Sequence, residues 1–130
     1  MDLAWWRKHY DDTHGFKGEK LTIAKNARGA AMVDLPYSGN SGAGALILAH
    51  HYGARRIIML GYDCKYAPDG KRHWHGDHPK GLGNAVSVNR WPAEFQKASS
   101  FLHGAEVLNA SRETAIQLWP RISLEAALHA

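Results

Sequence analysis

The chain has 130 residues, 45% of them hydrophobic and 22% charged, which describes one globular domain with a small core. No apolar run reaches the ~18 residues of a bilayer span, and Met1-Asp2-Leu3 lacks the basic and apolar regions of a signal peptide. A cytoplasmic protein with no membrane partner is therefore expected. The single cysteine, Cys64, excludes an intrachain disulfide and a disulfide-built secreted fold. A formal charge of +4 and a pI of about 9.3 lean toward an anionic small-molecule partner such as a nucleotide. The longest basic cluster is only Lys71-Arg72, and no basic stripe with interleaved aromatics is visible, so nucleic acid is not expected.

Leu3 to His14 reads as a helix with Asp2 as N-cap and Gly15 as stop, its apolar face formed by Leu3, Trp6 and Tyr10. Leu21-Thr22-Ile23-Ala24 is a short strand candidate; Lys25 to Asp34 reads as irregular, and Leu35 before Pro36 as extended. The Gly-rich turn Ser38–Gly44 opens a helix from Ala45 to Tyr52, with Asn40 and Ser41 as N-cap types, and Gly53 ends it. That helix is apolar nearly all round, which predicts burial against a sheet. Arg56–Leu60 is a continuous apolar run, as in a central parallel strand, and Gly61-Tyr62-Asp63 leaves its C-terminal end, where α/β sheets bind ligands. Residues 64–88 carry Pro68, Gly70, Gly76, Pro79, Gly81 and Gly83 and read as one long functional loop. Pro92 to His103 is a helix with Trp91, Phe95, Ala98 and Leu102 on one face; Glu106–Asn109 is a third strand, Ser111–Pro120 is irregular, and Ser123 caps a last helix, Leu124–His129. Strands alternating with helices predict a single α/β domain over 1–130 with a short, mostly parallel sheet of three strands.

Two stretches carry chemistry. The Gly39-Asn40-Ser41-Gly42-Ala43-Gly44 turn has the ingredients of an anion cradle, namely helix N-terminal N–H groups, a hydroxyl and close-approach glycines. A Gly-rich turn before a buried helix is equally how a helix packs tightly on its neighbours, and the sequence alone does not choose. His73, His75, Asp77 and His78 place four groups that bind metal or move protons within one short loop. As a pattern they match the ligand string of metallo-β-lactamase-type hydrolases, but the lead-in Asp69-Gly70-Lys71-Arg72 is polar and only His103 and His129 follow as further histidines. A lone Zn²⁺ on some of His73, His75, Asp77 and His78, with Cys64 as a further ligand, fits the spacing better. The alternative is that Trp74 and one histidine merely anchor the loop. Asp63 sits where a hydroxyl, a metal or a turn would be bound, and Cys64 beside it reads as buried and inert.

Asn40-Ser41-Gly42, the helix ending HHYGARRI, the strand IIMLGYD, the loop HWHGDHP and the terminal VLNASRETAIQLWPRISLEAAL together resemble a group of phage-encoded proteins. These are related to the MAF/DUF115-type domain of archaeal 6-hydroxymethylpterin diphosphokinase-like proteins and, more distantly, to bacterial CMP-sialic-acid transferases. The resemblance covers most of residues 38 to 125, and the initial DLAWWRKHY looks like a piece of the same phage proteins. It implies a small three-layer Rossmann-like domain derived from nucleotide-dependent glycosyl- or phosphotransferases. Carried over by position, Asn40, Ser41, Gly42, Asp63 and Trp74 would contact the nucleotide, and His78 would be the general base, with Asp77 or His75 in that slot if the loop aligns one step differently. A histidine base suits removal of a proton from an acceptor hydroxyl near neutral pH. Relatives begin with a strand, a Gly-rich nucleotide loop and a helix, so the fold is expected to be truncated at its N-terminus. Three uses of the loop follow: nucleotide-dependent transfer; non-catalytic binding of a nucleotide, a metal or a host protein by a homodimer; and zinc-dependent hydrolysis.

Overall fold

The computed structural model describes residues 3–73 and 75–129. The expected N-cap Asp2 and the loop residue Trp74 lie outside them. Helix α1 (Leu3–His9) carries one buried residue, Trp6, on the expected face, and stops sooner than its apolar period suggests. Asp11, Asp12 and Thr13 form a separate 3-10 turn in which the Thr13 hydroxyl donates to the Tyr10 carbonyl at 2.7 Å. Short polar side chains of this kind offer the backbone a local partner and so compete with the helix.

Strand β1 (Leu21–Thr22) pairs in parallel with β2 (Ala31–Met32), Leu21 opposite Ala31 and Thr22 opposite Met32. The segment expected to be wholly irregular thus contains a strand. Helix α2 runs Ser41–His51, and Gly53 beyond it has φ +92°, a conformation that favours glycine. It begins four residues before the expected Ala45, because the Asn40 side chain accepts the Ala43 N–H at 2.9 Å and caps the helix there.

Strand β3 (Arg56–Met59) pairs in parallel with β4 (Glu106–Asn109), in the register Ile57–Val107 and Met59–Asn109. Between them runs α3 (Trp91–Ser99), entered through a 3-10 turn at Val88–Arg90. Its last turn tightens before the expected end, with Ser99 Oγ donating to Gln96 O at 2.7 Å and Ser100 Oγ to Lys97 O at 2.9 Å. Helix α4 (Leu124–His129) is capped as expected, Ser123 Oγ accepting the Ala126 N–H at 3.1 Å.

The core lies where α2 and α3 meet one face of β3–β4. Side chains alternate across a strand, so Ile57 and Met59 point together and Val107 joins them through the register. They pack with Ala43, Leu46, Ile47, Phe95, Ala98, Leu102 and Ile116. The face expected of α3 is buried at Phe95 and Ala98, whereas α2, apolar nearly all round, buries Ala43, Leu46 and Ile47 and leaves Ala45 exposed. The architecture is a mixed helix and strand one built on parallel pairs. It differs from the expected three-stranded sheet, for β1 pairs with β2 in a separate two-stranded sheet. Among the described residues β3 has β4 as its one strand neighbour, so it is not the central strand its continuous apolar run suggested. On the outer side of β4, Asn109 bridges in parallel to Arg121. No helix of the described residues is long and apolar enough to cross a membrane.

Candidate functional site

Two residues beyond the end of β3, Gly61 takes φ +71° and turns the chain out of the strand direction. The segment that follows is held by the irregular stretch after β4. Ser111 Oγ accepts the Tyr62 N–H at 2.8 Å, Thr114 Oγ1 donates to the Tyr62 carbonyl at 2.7 Å, and the Ala115 N–H donates to the Asp63 carbonyl at 2.8 Å. That stretch is organised by Asn109, which is fully buried; its Oδ1 accepts the Ser111 N–H at 3.0 Å and its Nδ2 donates to Thr114 Oγ1 at 3.3 Å. These polar residues belong to the VLNASRET string, to which sequence reasoning gave no role. Their signal is a run of short polar side chains directly after a strand, the residue types that hydrogen-bond a neighbouring backbone.

The loop beyond Tyr62 returns to the same place. A cleft of about 960 Å³ is walled by Asn40, Ser41 and Gly42 at the start of α2, by Gly61, Tyr62 and Asp63 at the end of β3, and by His73 and His78. Three separate sequence segments, each singled out for its chemistry, therefore meet at one cavity. The rest of the wall includes five aromatic residues, Trp5, Trp6, Phe16, Trp91 and Phe95, among smaller and polar ones. The helical period puts Trp6 on the apolar face of α1 but gives no sign that Trp5 and Trp6 belong to this wall. Two buried ring nitrogens among the described residues have no hydrogen-bond partner, Trp6 Nε1 and His73 Nε2, and both residues line the cleft.

The two ends of the cleft differ in character. At the α2 end, Asn40 is already engaged, its Oδ1 on the Ala43 N–H at 2.9 Å and its Nδ2 on Glu94 Oε2 at 2.8 Å. A carboxylate beside a helix N-terminus compensates the positive end of the helix dipole and works against a phosphate there. The glycines also have packing duties. A Cβ on Gly42 would lie 3.1 Å from the Tyr62 ring and 3.2 Å from the Phe95 ring, and one on Gly44 would lie 3.0 Å from Ser38 Oγ. Asp63 is exposed at the same end, and Cys64 next to it is half-buried. Burial, then Asp63 and Glu94, push the Cys64 thiol up to about 11, and burial followed by Cys64 raises the Tyr62 phenol. The inert reading of Cys64 fits these surroundings.

The other end is made of imidazole. One nitrogen from each of His73, His75 and His78 lies within 4.8 Å of the other two. The rings sit 5.1 Å apart for His73–His75, nearly parallel, 4.5 Å for His73–His78 and 5.0 Å for His75–His78. The backbone makes this convergence possible. Gly76 takes φ +86° and its N–H donates to the His73 carbonyl at 3.3 Å, folding the loop back, while Asn84 Oδ1 accepts the His78 N–H at 2.6 Å. Burial first, then His78 and His75, hold the His73 pKa below the usual imidazole value, which favours a neutral ring with a free lone pair. Asp77 is exposed and stands outside the converging group, as does Cys64. Comparison with protein-family models, curated proteins and solved structures finds no match to this chain.

Proposed function

We propose that the cleft binds a nucleotide and that the protein transfers a glycosyl or phosphoryl group from a nucleotide donor, as a small Rossmann-like domain of phage type. The observation that carries this reading is the meeting of Asn40–Gly42, Gly61–Asp63 and His73/His78 around one cavity of nucleotide size. Its aromatic wall suits a base ring, and the unpartnered Trp6 Nε1 is a donor for one of its acceptor atoms. Asp63 at the α2 end suits the hydroxyls of a ribose, with Ser41 also in that part of the wall, which assigns the phosphates to the histidine end. In the transfer step a histidine of the cluster, His78 in the first instance, takes the proton of the acceptor hydroxyl. That oxygen bonds to the transferred group, and the bond to the nucleotide breaks with its electron pair on the departing phosphate oxygen.

The test is a thermal-shift and calorimetric titration with CMP and the other nucleoside monophosphates, followed by assay of nucleotide release from nucleotide-sugar donors. A binding nucleotide at a hundred times its Kd raises stability by ~2.7 kcal/mol. His78→Ala retains the fold and loses turnover; a variant turning over at the full rate, or a protein that no nucleotide stabilises, overturns the proposal. A second reading, binding without turnover by a homodimer, is favoured by β3, which has one strand neighbour among the described residues and so offers a sheet edge to a second copy. Light scattering at high micromolar concentration tests it, and a clean monomer removes it.

A further inference from the structure

We propose that His73, His75 and His78 form a three-histidine site for a single transition-metal ion, Zn²⁺ by its ligand chemistry, set in the wall of the cleft. The inference needs no second ion and no carboxylate ligand, and so differs from the two-metal use of a His-x-His-x-Asp-His string. Three imidazoles supply neutral nitrogen donors, the set that first-row ions such as Zn²⁺ take up. Their nitrogens lie within 4.8 Å of one another. In a tetrahedral site with ~2.0 Å bonds they would stand ~3.3 Å apart, so rotation of side chains on an exposed loop brings them in.

Two further observations support an ion here. His73 Nε2 is buried and has no partner, an expensive state for a polar atom unless a ligand occupies its free side. The rings also converge closely, with centroids 4.5–5.1 Å apart and one nitrogen of each turned toward the others, and Asp77, the nearest carboxylate in sequence, is not among the converging groups. The loop is braced as a metal-binding loop requires, by the Gly76 turn and by the Asn84 side chain on the His78 backbone. Since His73 and His78 line the cleft, an ion bound to them borders the same cavity. Three protein ligands leave room for a fourth group, a water or an anionic oxygen of a ligand in the cleft. Only that last step rests on the nucleotide reading.

The experiment uses the full chain purified without a polyhistidine tag and with no nucleotide present. Co²⁺ titration followed by visible d–d absorption, and Zn²⁺ competition against it, should give one equivalent with a four-coordinate spectrum. His73→Ala, His75→Ala and His78→Ala should each weaken binding by more than the ~10–100-fold that loss of a supporting contact costs. Asp77→Asn and His51→Ala, the latter on α2 outside the cluster, should leave stoichiometry and affinity unchanged. Circular dichroism checks that each variant retains its fold. Binding that survives the single histidine variants, or that is lost with Asp77→Asn or His51→Ala, overturns the assignment, as does an intact protein that takes up no stoichiometric Co²⁺ or Zn²⁺. The spectrum is read without nucleotide, so failure of the transfer reading leaves this result standing, and the reverse.

Discussion

Asn109→Ala probes how the end of β3 is held. Asn109 is fully buried at the C-terminal end of β4, and its amide closes two bonds, to the Ser111 N–H at 3.0 Å and to Thr114 Oγ1 at 3.3 Å. Removing it orphans the Ser111 N–H, and Ser111 is itself buried at 4% exposure. A buried unsatisfied N–H costs about 1–3 kcal/mol. Thr114 Oγ1 keeps its bonds to the Tyr62 carbonyl and the Ile116 N–H, so the longer Thr114 contact adds less than about 1 kcal/mol. The expected loss is therefore about 2–3 kcal/mol, a large share of a marginal stability. With an m-value of roughly 1–3 kcal/mol/M for a small domain, the urea midpoint should fall by roughly 0.7–3 M. Thr114→Val should cost about 1–2 kcal/mol by leaving the Tyr62 carbonyl and the Ile116 N–H without that oxygen. The double variant should lose less than the sum, because both changes break the Asn109–Thr114 bond. A loss below about 0.5 kcal/mol for Asn109→Ala, within the range of an ordinary surface change, or strict additivity in the double variant, would refute the claim that this network holds the Tyr62 segment.

Two further outcomes follow from the α2 end of the cleft. Cys64, raised to about 11, should react slowly with iodoacetamide at pH 8, and its rate should climb through pH 9–11; Asp63→Asn removes one of the causes and should speed the reaction at fixed pH, whereas a rate already at its plateau by pH 8 contradicts this environment. The native state then holds the thiol proton more tightly than the unfolded chain, so Cys64's contribution to stability is complete below the ordinary thiol value of about 8.5 and falls as pH rises toward about 11. Gly42→Ala gains helix propensity, yet its Cβ would stand 3.1 Å from the Tyr62 ring and 3.2 Å from the Phe95 ring, closer than ordinary contact. A net loss of about 1 kcal/mol in urea unfolding is expected, and a gain would mean that the two rings give way freely.

The parts of this molecule legible in the sequence are those that follow a period or a single strong local rule. Phe95 and Ala98 of the expected stripe are the buried residues of α3, with Leu102 buried just beyond its end, Ser123 caps α4, and β3 and β4 lie where short strands are expected. What stayed hidden depends on partners distant in sequence. Ala31–Met32 is exposed and carries no strand pattern; it is a strand because Leu21–Thr22 lies beside it. The Ser38–Gly44 stretch was ambiguous because the same glycines serve an anion or a close helix contact, and only the rings of Tyr62 and Phe95, one from another strand end and one from another helix, disclose the contact. The histidine string was visible as composition, but which members converge depends on a single positive-φ glycine that turns His78 back toward His73 and leaves Asp77 outside.

The two chemical uses of the histidine end constrain one another. A ring nitrogen bound to an ion has no lone pair for a proton, so His78 acts as a free base only in the metal-free protein. If the loaded protein turns over, His73, His75 and His78 would hold the ion, which would supply Lewis acidity at that end of the cleft, and the acceptor proton would pass to a group other than the His78 ring. Zn²⁺ added to metal-free protein therefore discriminates sharply: inhibition proportional to site occupancy leaves the imidazole as the base, and activation proportional to occupancy makes the ion part of the machinery. Asn84→Ala refines the answer. Asn84 Oδ1 accepts the His78 N–H at 2.6 Å and so braces the backbone that carries that ring. If three nitrogens must be held at once, Zn²⁺ affinity should drop by about 10–100-fold in this variant. If one imidazole acts alone, metal-free turnover should change much less than in His78→Ala, because a single ring can find its proton from several loop positions while a three-point site cannot.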